Sequence, residues 1–171
     1  MADIEKKLVF KIDKNDKPLI YISGVHKERT SCLIDTGANL PVWLIGKDYL
    51  RYRYPDATDS GKLTVINGLG DNPLLDVAVW NLPELVLKDD QGAEIKYKDL
   101  PIAVIETSKF SFDMILPLTM LNRMDFSFAY TKSSSYGAFE IRTKKDTFFI
   151  KSEYARVNNH FLNKIQVFAE E

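Results

Sequence analysis

Apolar positions in this chain come in short runs broken by polar, glycine- or proline-bearing turns, which is the pattern of strands more than of helices. Leu8-Val9-Phe10-Lys11-Ile12 and Leu19-Ile20-Tyr21-Ile22-Ser23 are rich in β-branched and aromatic side chains. A polar turn over residues 13–17 parts them, and Pro18 opens the second. After a further turn over residues 24–28, Ser31-Cys32-Leu33-Ile34 predicts a third strand. Val42-Trp43-Leu44-Ile45 is another apolar segment, residues 49–54 are aromatic and basic, and residues 55–61 have the composition of a loop. A hairpin follows: Leu63-Thr64-Val65-Ile66, turn chemistry over residues 67–73, and an apolar run over residues 74–80. Residues 82–87, 95–97 and 102–105 add strands, the first two separated by Asp89-Asp90-Gln91-Gly92.

Near residue 112 the period changes. Phe112 to Leu116 reads as a strand, and Pro117 suits the first position of a helix. Leu118, Leu121 and Met124 then recur as on one face of a short helix. Strands resume at residues 126–130, 138–142 and 148–152, with Ser133-Ser134-Ser135 as a loop. Residues 153–164 predict a helix and residues 165–168 a terminal strand. The class is mainly β with one or two short helices, the last part being a C-terminal β/α segment.

Composition narrows the picture. A chain of 171 residues can be one domain, and at that size it buries roughly 70% of its unfolded surface without help from a disulfide or metal. A net charge of −1 argues against broad neutralisation of nucleic-acid phosphates. Cys32 is the only cysteine, which fits a reducing compartment. It lies just before Asp35, yet His26 and His160 are the only histidines to serve as its base, so a buried strand thiol is the expectation. Those two histidines also lack metal-ligand spacing, and neither metal nor cofactor is expected. The N-terminus has no apolar signal run, and no segment approaches the ~20 apolar residues of a membrane span, so the cytoplasm is expected and a membrane is not. Asp89-Asp90, Glu170-Glu171 and the basic group Arg142, Lys144, Lys145 and Lys151 read as solvated faces. The cluster at residues 49–54, with Arg51 and Arg53, reads as partly buried, with stacking on a ligand as the alternative.

One loop carries chemistry. Leu33-Ile34-Asp35-Thr36-Gly37-Ala38-Asn39 delivers a carboxylate from an apolar strand into a tight turn of small residues. Thr36 offers a hydroxyl, Gly37 admits backbone geometry closed to other residues, and Ala38 leaves room for close approach. Two such carboxylates face to face cannot both ionise cheaply and share one proton, so that one activates water while the other protonates a carbonyl. Asp59-Ser60-Gly61 repeats the tripeptide, but it follows no apolar strand and lies too close in sequence to have its own lobe. It is expected to be a turn.

Residues 33–39 resemble the active-site loop of retropepsin-like aspartic proteases. The resemblance implies a β-barrel with one catalytic aspartate per chain, the dyad being completed by a second copy. It places residues 1–130 in the protease domain and leaves 131–171 as a C-terminal extension packed on it. Asp35 is then catalytic, with Thr36, Gly37 and Ala38 bracing the loop. Asn39 and a glycine-rich lid, Gly68-Leu69-Gly70, would hold a peptide or protein substrate. The family's apolar-apolar-Gly turn appears here as Ile115-Leu116-Pro117, with Leu118 where a charged residue is common. Proline has no N–H to donate and a fixed φ. The implied function is a homodimeric aspartic endopeptidase. The alternative that Pro117 suggests is a non-catalytic module of the same fold for dimerisation or peptide binding, and a chance match on an unrelated β-barrel is a third reading.

Overall fold

The computed structural model describes residues 5–13, 19–23, 29–35, 38–130, 136–157 and 160–169, leaving aside the side chains at 13, 23, 130, 154–157 and 160–164. The expected turns at 14–17 and 24–28, His26, Thr36, Gly37, Ser133 to Ser135 and Glu170-Glu171 lie outside the described residues, as does the side chain of His160. In chain order the strands are β1 (Lys6–Asp13), β2 (Leu19–Ser23), β3 (Arg29–Asp35), β4 (Val42–Trp43), then helix α1 (Lys47–Arg53), β5 (Thr58–Ile66), β6 (Leu74–Lys88), β7 (Glu94–Val104) and β8 (Met114–Pro117). A 3-10 helix, Leu118–Leu121, precedes β9 (Asp125–Tyr130), β10 (Tyr136–Thr143), β11 (Thr147–Val157) and β12 (His160–Ala169). The chain is mainly β.

β1, β10 and β9 form a small antiparallel sheet in that order. The other strands form one large mixed sheet, in which β12, β11, β7, β4, β8, β3 and β2 are successive neighbours and the β5–β6 hairpin joins through β6 to β7. Period-two alternation explains why these segments pair. In β3, Cys32 and Ile34 are buried while Leu33 and Asp35 are half-buried; in β7, Ile95 and Tyr97 are buried between half-buried neighbours. The interior is filled by Trp43, Tyr97, Phe148 and Phe139, all fully buried. Their polar atoms are matched: Trp43 Nε1 donates to Gly46 O at 2.8 Å and Tyr97 Oη to Met120 O at 2.8 Å. The small sheet packs Phe10, Phe126 and Phe128 around Phe139.

Four expectations are corrected. Residues 153–164 are not helical: β11 and β12 pair through them, Glu153 with Lys164 and Val157 with His160, so the C-terminal segment is all β. Pro117 does not open a helix but ends β8 in extended conformation, at φ −71° and ψ 141°, just before the 3-10 helix. A strand end is where a residue without N–H is tolerated. Asp59-Ser60-Gly61 is not a turn but lies within β5, where the pairing slips between Asp59 and Lys62. Gly61 has φ +76°, which that bulge requires.

The fourth correction is Asp89, which is 7% exposed, not solvated. Its Oδ1 accepts from the N–H groups of Gln91 and Ala93 at 3.0 and 2.9 Å, closing the turn between β6 and β7. Its Oδ2 accepts from Val9 N at 3.0 Å, tying that turn to β1. One carboxylate thus joins the two sheets. Replacing Asp89 by Ala leaves these N–H groups without their acceptor, so urea unfolding should show a loss of about 3 kcal/mol with unchanged slope. Asp89→Asn, which keeps one acceptor oxygen, should lose less.

Candidate active site

Asp35 is the last residue of β3, and its position is fixed by both neighbours of that strand. β2 runs antiparallel on one side, with Leu19 opposite Leu33. β8 runs parallel on the other, Cys32 facing Met114 and Asp35 facing Pro117. Cys32 and Ile34 of β3 and Met114, Ile115 and Leu116 of β8 are buried, which pins the register and leaves Asp35, half-buried, where the strand stops.

Helix α1 braces the same strand. Arg53 Nη1 donates to Thr30 Oγ1 at 2.8 Å and to Asp113 Oδ2 at 3.2 Å. Asp113 Oδ2 also accepts from Ser31 N at 3.2 Å, while Asp113 N donates to Ser31 Oγ at 3.0 Å. The Arg53 and Asp113 side chains are 14% and 26% exposed, so this pair is screened less than a surface ion pair. Its members come from three elements or their flanks: α1, β3 and the residue before β8. Arg53 also lies over the Trp43 ring at 5.6 Å. Sequence reasoning named Arg53 only within the residue 49–54 cluster and missed its partner Asp113, for which the available signal was a lone carboxylate inside the apolar run Phe112-Asp113-Met114.

Over the end of β3 lies the hairpin of β5 and β6. Its tip, residues 67–73, contains Gly68 at φ +88°, a left-handed conformation for which glycine is suited. Below the tip the pairing steps from Thr64–Val77 to Ile66–Leu74, so that β6 carries one residue more than β5, and Asp76 there has φ +54°. A bulge of this kind bends the ribbon.

Between hairpin and loop is a cleft of about 290 Å³, near the lower end for ligand sites. Asp35, Ala38 and Asn39 line it from the loop, and Gly68 and Leu69 from the hairpin tip. These five expected site residues are therefore brought together. Gly70 is not: it does not line the cleft, and a side chain there would meet the Lys109 ammonium group. Thr36 and Gly37 lie outside the described residues. Of the rest of the wall, Val42, Val65, Ile66 and Ile115 were read from sequence as apolar segments or strands and Asn67 as turn, while Leu40 was not assigned. Among the described lining residues Asp35 is the one acid. The other Asp-Ser-Gly carboxylate is exposed and accepts from Gly61 N at 2.9 Å, within its own bulge.

Cys32 is fully buried and its thiol is pushed up in pKa, first by loss of solvent and then by Asp113, against the opposing effect of Arg53. It is a core thiol, not a nucleophile. Among the described residues no group of three His, Cys, Asp or Glu could hold a metal ion. The helix at residues 47–53 exposes Tyr49 and Tyr52 but buries Leu50, and Tyr54 just after it is half-buried, its ring meeting Trp43 edge-on.

No protein-family description matches this chain by sequence, and no curated protein does either. Among solved structures, the crystal structure of a retropepsin-like aspartic protease from Rickettsia conorii is similar over 83% of this chain and 96% of that one, at 16% identity and a TM-score of 0.46.

Two outcomes follow from the site's framework. Asp113→Ala removes the acceptor of Arg53 and Ser31 N together and should lower stability by about 2–3 kcal/mol in thermal or urea unfolding. Because the raised pKa keeps the Cys32 thiol protonated through neutral pH, iodoacetamide should label it only at the rate of unfolding. Rapid labelling of the folded protein would contradict its burial.

Proposed function

We propose that this protein is an aspartic endopeptidase of retropepsin type, active as a homodimer in which Asp35 of each copy supplies half of a carboxylate dyad. The observation that carries this reading is the cleft in which Asp35, Ala38 and Asn39 face Gly68 and Leu69 of the hairpin. A carboxylate at a strand end beneath a glycine-bearing tip is an arrangement for acid–base chemistry on an enclosed peptide. One carboxylate is not enough for it. The cleft is small and, among the described residues, singly acidic, and Asp59 is engaged in its own bulge. A second copy is the available source of the partner.

In that dyad the two carboxylates share a proton. The ionised member takes a proton from water as it attacks the scissile carbonyl, and the protonated member gives its proton to the carbonyl oxygen. Thr36 and Gly37 brace the two loops against each other. Asn39 and the hairpin-tip residues Gly68 and Leu69 hold the peptide backbone. The compartment we assign is the cytoplasm, with peptides or proteins as substrate and no nucleic acid as partner.

Pro117 supports a second reading, a peptide-binding or dimerising module without catalysis. It faces Asp35 across the β3–β8 ladder and has no N–H to offer there.

The test is a peptide-library digest between about pH 4 and 7, run beside sedimentation. Wild-type protein should sediment as a dimer and cut best in mild acid, where one carboxyl of the dyad keeps its proton. Asp35→Asn should lower the rate at least about 100-fold. Cleavage that survives the substitution sinks the protease reading. A dimer that binds peptides without cutting them supports the second reading, and a monomer that neither cuts nor binds removes both.

A further inference from the structure

A second cavity, of about 530 Å³, lies on the other side of the hairpin tip from Asp35 and shares the Leu69 wall with the first. One side is β6 just below the tip, where Leu74 and Leu75 are 39% and 52% exposed. The other is the connection from β7 to β8, contributing Glu106, Lys109 and Phe110. Two large apolar side chains left in water beside a half-buried phenylalanine form a surface that gains by being covered.

The polar groups here are unevenly placed. Lys109 Nζ stands 3.7 Å from the point where a Cβ on Gly70 would be, so the ammonium group reaches the hairpin tip beside the shared wall. Glu106 lies instead against Gly46, its carboxyl oxygen 3.3 Å from the corresponding point there. Among the described residues Lys109 makes no ion pair, whereas its backbone N–H is held by Thr107 Oγ1 at 3.2 Å. The cation is thus carried on a braced loop, in the second cavity's wall and close to the hairpin tip.

We propose that this cavity is a second peptide subsite, taking an apolar side chain of the same extended peptide that enters the Asp35 cleft, and that Lys109 selects an acidic residue next to it. The inference rests on the reading that the cleft takes a peptide. The Leu69 side they share names the occupant: a chain passing the hairpin tip meets both cavities. An extended peptide sends successive side chains to opposite sides, so an apolar residue seated on Leu75 and Phe110 places its neighbour elsewhere. Lys109, close to the hairpin tip, meets that neighbour.

The experiment separates binding from cleavage. Fluorescein-labelled peptides of about ten residues, with a central Leu-Phe pair and one Glu, Gln or Lys walked along the flanks, are titrated by anisotropy against Asp35→Asn protein. Cleavage of the same peptides by wild-type protein is followed in parallel. Glu at one flanking position should bind about fivefold more tightly than Lys there, the scale of a partly exposed ion pair. Adding Lys109→Glu should reverse the preference, and Lys109→Gln should abolish it, with circular dichroism confirming the fold. Equal binding of Glu and Lys peptides, a preference that survives the reversal, or no binding at all would overturn the subsite. Charge-dependent binding without cleavage would keep the subsite and refute only the protease reading.

Discussion

The parallel pairing of β3 with β8 is the constraint on which the rest of the molecule depends. Adjacent parallel strands cannot be joined by a tight turn; the chain must leave and return. Here it leaves at Asp35 and returns at Met114, and everything between is the excursion: the Ala38–Asn39 loop, β4, α1, the β5–β6 hairpin and β7. The carboxylate ends the outgoing strand and the hairpin belongs to the connection that starts there. Their meeting across one cleft is therefore a consequence of topology, not a separate arrangement. β4 completes it by pairing with both β8 and β7, which locks the returning strand to the hairpin's base.

Two carboxylates hold this path in place, and neither does acid–base work. Asp113 receives Arg53 and Ser31 N just before the chain re-enters β8. Asp89 receives three backbone N–H groups and fastens the β6–β7 turn to β1. Both add directional bonds to a register that the buried side chains already specify. Asp35 differs from both by its place in an open cleft lined with side chains of two separate segments.

What was legible in the sequence was local. The Asp35 loop and the residues 63–80 hairpin announce themselves through strand alternation and turn chemistry within a few positions. The helix at residues 47–53 was not read because seven residues with one buried leucine carry too little period. Residues 153–164 were misread since their apolar spacing suits a helix as well as a strand, and the pairing of β11 with β12 decides between them. Asp89 looked solvated because charge in a turn usually is, and its acceptor role depends on Val9, far away in sequence. The partnership of β3 and β8 is likewise nonlocal, so no periodicity within either segment reveals it.

Pro117 illustrates how placement alters the meaning of a substitution. In isolation a proline where glycine is expected suggests lost conformational freedom. Its backbone here is extended, at φ −71° and ψ 141°, which lies within proline's natural range, so the ring imposes no strain. What the ring does remove is one N–H at the register position facing Asp35. The cost is thus confined to hydrogen bonding and leaves chain path untouched. Asp35 thus keeps its strand-end position while the neighbouring strand offers no backbone N–H at Pro117. On the proposed dimeric reading, the loop of the second copy is then a source of donors for Asp35 as well as of the second acid.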